Sequence, residues 1–233
     1  MPYETDGIIN WEWITDKINN DLANIYGNLV SRTVAMSNKY FGGVLENAGV
    51  KEDVDDDLIA TVTGAYEKVR AKINEFRISD ALSEIFVIFK RANKYIDETM
   101  PWVLAKDESQ KDRLATVLYN LTETIVICAS LLSPFMPSTS QKVVEQCGTT
   151  IRSFDDLDKF GLLANGTKVA ENPAHLFARI DADKVKKELL AKGLVKEDVE
   201  EEEKKEQKHY KNAKKLFFIN CLEKIKFIPV CIM

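Results

Sequence analysis

The side chains with chemical potential in this 233-residue chain are amides, guanidinium groups and an indole. Asn24, Asn28 and Arg32 recur every four positions. Asn weakens a helix interior because its amide competes for backbone groups, so two of them followed by Arg at this spacing ask for a partner. With Leu22 at zero, they fall at about 200, 240 and 280 degrees, beside an apolar stripe between roughly 300 and 40 degrees. At a rise of about 1.5 Å per residue the row extends about 12 Å. It is long enough to face a few splayed nucleotides, and amides and guanidinium groups can read base edges by paired hydrogen bonds. The competing reading has Asn24 and Asn28 bonding a neighbouring loop and Arg32 pairing with an acid. Helix-weakening Gly27 lies next to the row.

A second candidate is the segment ANKYIDETMPW. Met100 precedes Pro101, which pushes it out of the helical region, so the helix must end there and present Trp102 at a bend. The indole is then either a core anchor or a platform on which an unstacked base gains about 1–3 kcal/mol. Stacking needs no positive surface, which suits this chain. Its formal charge is −5; residues 1–182 carry 19 Lys and Arg against 27 Asp and Glu, and residues 183–233 carry 13 against 10. A broad counterion-releasing patch is excluded, so any RNA contact must be directed and of modest unaided affinity.

Enzymatic constellations are missing. The chain has two histidines, His175 and His209, and its one Glu-x-x-His, Glu206 to His209, lies in a charged run. A di-metal carboxylate bundle needs two such pairs and further inward carboxylates. Phosphate-cradling, dinucleotide-binding, serine-hydrolase and zinc-protease motifs lack their minimum parts. Cys128, Cys147, Cys221 and Cys231 are 19, 74 and 10 positions apart. That spacing suits neither a zinc knuckle nor a disulfide framework, and a reduced, cytoplasmic protein is expected. The N-terminus lacks a basic-then-apolar leader, and no apolar stretch is expected to approach the roughly 20 residues that cross a bilayer. Neither membrane nor DNA is an expected partner.

The elements that must position these residues read as all-α, because period-3.6 patterning dominates. A first helix is expected from about Trp11 to Lys39, with Leu22, Ile25, Tyr26, Leu29, Thr33, Met36 and Tyr40 as its core stripe, stopped by Gly42-Gly43. A second runs from near Asp53, where acidic residues suit the helix dipole, to about Phe76. A third starts after a Ser79-Asp80 cap and ends before Pro101. A fourth opens near Asp107 to Ser109 and breaks at Pro134, and a shorter fifth follows Pro137 and Ser138. Such helices pack most simply as an antiparallel bundle. The expected division is a bundle over 1–147, an extended strap over 148–182, a charged linker helix over 183–215 and an apolar, basic tail over 216–233. The tail reads as a chain end without its proper continuation rather than a docking or membrane-surface segment.

Three stretches carry a resemblance: DLANIYGNLVSRTVAMSNKY at 21–40, ANKYIDETMPWVLAK at 92–106 and LLSPFMPSTSQKV at 131–143. In wording, order and spacing they resemble the helical anticodon-binding domain of methionyl-tRNA synthetases. The likeness extends from Asp6-Gly7 through GLLANGTKVAENPAHLFARID to about Val185. It implies an anticodon-binding bundle that receives the anticodon loop of methionine tRNA, with Asn24, Asn28 and Arg32 reading bases and Trp102, after Pro101, stacking on the first one. Asn93 and Lys94 match the family wording and take supporting roles.

The family's nucleotide-binding half, with its ATP, magnesium and often zinc, would precede this domain. The chain resembles the C-terminal piece of a synthetase, inactive in catalysis alone and needing no cofactor itself, with a catalytic half acting in cis or in trans. LFARID matches a stretch that folds toward that half, which implies exposed apolar surface here. The rival expectation is a synthetase-derived helical assembly protein that has lost RNA binding and docks a partner through the charged helix and tail.

Overall fold

The first helix follows one continuous path with three windings: α1 (Trp11–Asp16), a π-helical stretch (Lys17–Gly27) and α2 (Asn28–Phe41). The computed structural model describes residues 11–193. In the π stretch, i→i+5 bonding places roughly one more residue in each turn than the 3.6 of an α-helix. The angles expected from about 100 degrees per residue therefore fail between Lys17 and Gly27. The stripe shifts with them: Tyr26, Leu29, Val30, Thr33, Val34 and Ser37 are buried, whereas Leu22, Ile25, Met36 and Tyr40 are only half-buried. Gly42 closes α2 in the left-handed region at φ 59°, and the Gly42 and Gly43 amides donate to the Asn38 and Ser37 carbonyls. This is the ending that glycine permits at little steric cost.

The strand β1 (Val44–Leu45) follows, then α3 (Asp53–Thr63) and α4 (Ala65–Asn74). The expected single helix to about Phe76 is thus two. Gly64, at ψ −8°, sits between them; glycine has little intrinsic hold on helical geometry. A reciprocal box between Glu52 and Asp55 starts α3. The helix α5 (Ile78–Thr99) has Arg77 rather than the Ser79-Asp80 pair at its cap, and Asp80 instead pairs with Arg77 at 2.5 Å. A short α6 (Pro101–Leu104), α7 (Lys111–Leu132) and α8 (Pro137–Gln146) complete the bundle.

The centre is α7, buried at every position from Arg113 to Leu132 and packed against α2, α3, α5 and α8. The expectation about membrane-length segments needs correcting: Glu108–Leu132 is long and apolar enough to cross a bilayer. All of its apolar window is buried inside the protein, the position that a core helix takes when its neighbours cover its whole circumference.

The segment after α8 is an irregular strap along the bundle, in the same compact unit, which ends at Ile180. Its strand β2 (Thr167–Lys168) pairs antiparallel with β1, Val44 opposite Lys168 and Leu45 opposite Thr167. At Gly148, φ 72°, a Cβ would lie 2.1 Å from the Lys168 carbonyl oxygen, so only glycine allows this approach. Side-chain amides hold the strap: Asn38 donates to the Ala170 carbonyl at 2.8 Å and Gln146 to the Ala174 carbonyl at 3.2 Å. The buried Glu123 carboxylate accepts both Arg152 Nη groups, at 2.7 and 2.9 Å, and the amides of Gly161, Leu162 and Leu163.

A second unit begins at Asp181, whose side chain caps α9 (Ala182–Ala191) by accepting from the Lys184 amide. The expected linker helix is described only over this stretch. Its remainder, the Glu206–His209 pair, Cys221, Cys231 and the 216–233 tail lie outside the described residues.

Candidate nucleic-acid interface

Three elements converge on one side of the first helix: the π stretch with the start of α2, the corner between α5 and α6, and the strap near Phe177. The helix ends at Thr99, ahead of the proline, but not through the extended conformation that a following proline favours. Met100 is in the left-handed region, φ 44° and ψ 64°, and Pro101 is buried at the first position of α6. A non-glycine residue there is strained by about 1–2 kcal/mol, and such strain gathers where a side chain must be aimed. It leaves Trp102 40% exposed, beside exposed Met100 and Val103.

Arg32 meets that indole. Its guanidinium carbon lies 5.9 Å from the ring centroid, within the range of a cation–π contact. The Arg32 guanidinium makes no ion pair and no hydrogen bond with the described residues, so the acid partner considered from sequence does not materialise. Asn28, one turn away, is exposed, and its side-chain amide likewise makes no hydrogen bond with the described residues.

Asn24 behaves differently. Its Oδ1 accepts from Arg179 Nη2 at 2.6 Å and its Nδ2 donates to Asn20 Oδ1 at 3.2 Å. The loop-bonding alternative therefore applies to Asn24 and not to Asn28. Both asparagines line a cleft of about 730 Å³ with Ser31 on the helix and His175 to Arg179 on the strap.

Sequence reasoning passed over what builds this cleft. Asn19 clamps the Ile180 peptide from both sides, accepting from its amide and donating to its carbonyl, each at 2.8 Å. Phe177 packs on Tyr26 at 5.6 Å between ring centroids, and Tyr26 stacks on Phe89 at 4.3 Å. Gly27 makes room: a Cβ there would meet Phe177 Cδ2 and the Leu22 carbonyl oxygen at 3.2 Å. LFARID is accordingly half-buried on the first helix at Leu176 and Phe177, not the exposed apolar surface expected of it. Burial pushes the Tyr26 phenol well above its ordinary value, with the neighbouring thiols of Cys128 and Cys147 adding to the rise, so it stays neutral. The signal in the sequence was the density of Asn in a segment containing Gly27.

The supporting candidates separate. Asn93 donates to the Ile25 and Phe89 carbonyls at 3.1 and 2.9 Å, which ties α5 to the π stretch. Lys94 is exposed and pairs with Glu98 on its own helix at 3.2 Å. Arg32 and Trp102 are thus in contact, Asn24 and Asn28 share a cleft, Asn93 braces the helix that carries them, and Lys94 joins none of these contacts.

The chain as a whole is similar to known proteins. A family model described as the anticodon binding domain of methionyl tRNA ligase matches residues 45–192. The chain is 47% identical over 212 residues to a methionine–tRNA ligase of Caldanaerobacter subterraneus subsp. tengcongensis, covering 90% of this chain and 32% of that protein. It is 47% identical over 189 residues to a methionine–tRNA ligase of Clostridium tetani, covering 81% of this chain and 29% of the relative. The chain therefore spans about a third of the length of the curated relatives it matches. Among solved structures, the free-state methionyl-tRNA synthetase of Mycobacterium tuberculosis superposes with a TM-score of 0.73 at 34% identity, over 78% of this chain and 37% of that one.

Proposed function

The chain belongs to the methionyl-tRNA ligase anticodon-binding family, and from that premise we propose that its open corner receives the anticodon loop of methionine tRNA. The observation that carries the reading is the pairing of Arg32 with a 40%-exposed Trp102 beside Asn28, whose side chain has no partner among the described residues. An indole stacks on any unpaired base, while an uncommitted guanidinium and amide supply the base-edge hydrogen bonds that discriminate. Asn24 joins them with the hydrogen-bonding capacity that Arg179 and Asn20 leave open. Asn93 supports the site through the backbone, Pro101 fixes the bend, and Lys94 adds nearby positive charge.

The module binds and selects; bond making belongs to a catalytic synthetase part, in cis or in trans, that uses ATP with magnesium, often with zinc, to join methionine to its tRNA. The setting is the cytoplasm, where buried free thiols such as Cys128 and Cys147 stay reduced. The rival assembly role gains no support, since it leaves the open Arg32, Trp102 and Asn28 without a task.

Titration of the chain with methionine-tRNA anticodon hairpins, cognate or substituted at the first anticodon base, tests the reading. Weaker binding of the substituted hairpins is expected. Equal affinity for every hairpin would overturn the assignment.

A further inference from the structure

Asn24 is the reader whose amide is already engaged, and the chemistry at the two ends of its hydrogen-bond chain is one-sided. Arg179 Nη2 donates to Asn24 Oδ1 at 2.6 Å, Asn24 Nδ2 donates to Asn20 Oδ1 at 3.2 Å, and Asn20 Nδ2 donates to Asp16 Oδ1 at 2.5 Å. A guanidinium can only donate and an ionised carboxylate can only accept. An asparagine amide by itself can sit either way round, but here both ends dictate the same choice. Oxygen faces the strap and nitrogen faces back along the helix.

The π stretch makes the alignment possible. In its wide turns Asn19 and Asn24, five positions apart, both reach the strap, one at Ile180 and the other at Arg179. An α-helix would put residues five apart on nearly opposite sides. Clamping of the Ile180 peptide by Asn19 sets the position of the adjacent Arg179.

We propose that Arg179 is a positioning residue that orients the Asn24 amide, with Asp16 fixing the far end of the chain, so that one N–H and one oxygen lone pair face the cleft in a single arrangement. The proposal rests on the anticodon-reading assignment and deepens it. Its consequence is for discrimination: an amide free to flip offers donor and acceptor in either order and tells bases apart poorly, while still binding RNA.

The test uses the full chain, anticodon hairpins substituted at each anticodon position, and the variants Arg179→Gln, Arg179→Lys and Asn24→Ala. Glutamine can donate or accept, so Arg179→Gln should lower the ratio of cognate to substituted affinity by about fivefold or more, the low end of what a bidentate amide contact supplies. Lysine only donates, so Arg179→Lys should retain most of that ratio. In the Asn24→Ala background, Arg179→Gln should change it no further.

A uniform loss across all hairpins, additive with Asn24→Ala and accompanied by a salt slope smaller by about 0.7, would identify Arg179 as a phosphate contact and overturn the proposal. Side-chain amide NMR gives a readout independent of RNA. The Asn24 Nδ2 resonances, assigned by their loss in Asn24→Ala, should move in Arg179→Gln and in Asp16→Asn, and unchanged resonances would also overturn it. If the unmodified chain binds no hairpin, the anticodon reading fails and the resonances still decide whether Arg179 orients Asn24.

Discussion

Arginine and asparagine occur in two regions of this protein in opposite states. In the core, Arg113 meets both oxygens of Asp55 at 2.6 and 2.9 Å, the Val50 carbonyl at 3.0 Å and Glu52 at 3.2 Å. Tyr95 donates to the same Asp55 carboxylate, and Asn120 to the Tyr95 hydroxyl. At the corner, and among the described residues, the Arg32 guanidinium has only the face of Trp102, and the Asn28 side chain has no partner. A buried polar group must be satisfied or it costs stability, whereas one at the surface can keep its bonding capacity for a ligand. The type of residue therefore says little about whether its bonding capacity is spent inside the scaffold or left open at the surface.

The sharpest way to break this contrast is to empty the scaffold. Glu123→Ala strands Arg152 and three backbone amides, and it should cost about 3–5 kcal/mol, read from urea unfolding. A loss below about 1 kcal/mol would place these groups with surface pairs instead. Trp102→Ala should do the reverse, weakening anticodon-hairpin binding by about 1–3 kcal/mol while helical circular dichroism stays intact. Unfolding of the bundle by that variant would return the indole to the core.

A pH series sharpens the scaffold side. Burial alone would raise the Asp55 carboxyl, but hydrogen bonds from Arg113, Tyr95 and the Glu52 amide, with the attraction of Arg113, hold it below the ordinary carboxylate value. A pKa lowered on folding contributes stability above the unfolded value and loses it as pH falls through the folded one. Stability should thus decline below about pH 4, and Asp55→Asn, less stable at neutral pH, should decline less steeply; equal slopes would remove Asp55 as a cause. The smallest effect is expected from Lys94→Ala. With its exposed partner Glu98, it should shift stability by under about 0.5 kcal/mol and weaken every hairpin alike.

Much of this site was legible beforehand because its signals are local. Proline forces the residue before it out of a helix, so the Met100 corner and the placing of Trp102 followed from one dipeptide. Asn and Gly in a helix betray a cost that something must offset, which marked the segment around Gly27. The π winding escaped notice because it depends on backbone bonding across the turn, which a periodicity assumed to be 3.6 cannot reveal. Asn19, Arg179 and the Glu123 staple escaped because their partners lie 161, 155 and 29 positions away.

The amino-acid sequence by itself determined the all-α class, the helix stops at Gly42 and before Pro101 and Pro134, and the candidates for reading an anticodon, since each follows from side-chain pattern and backbone stereochemistry within a few residues. Only the tertiary structure decided which polar groups are spent and which remain open. The Asn28 side chain stayed open among the described residues and that of Asn24 did not, because the strap, returning from more than 150 positions away, brought a guanidinium to one and not to the other.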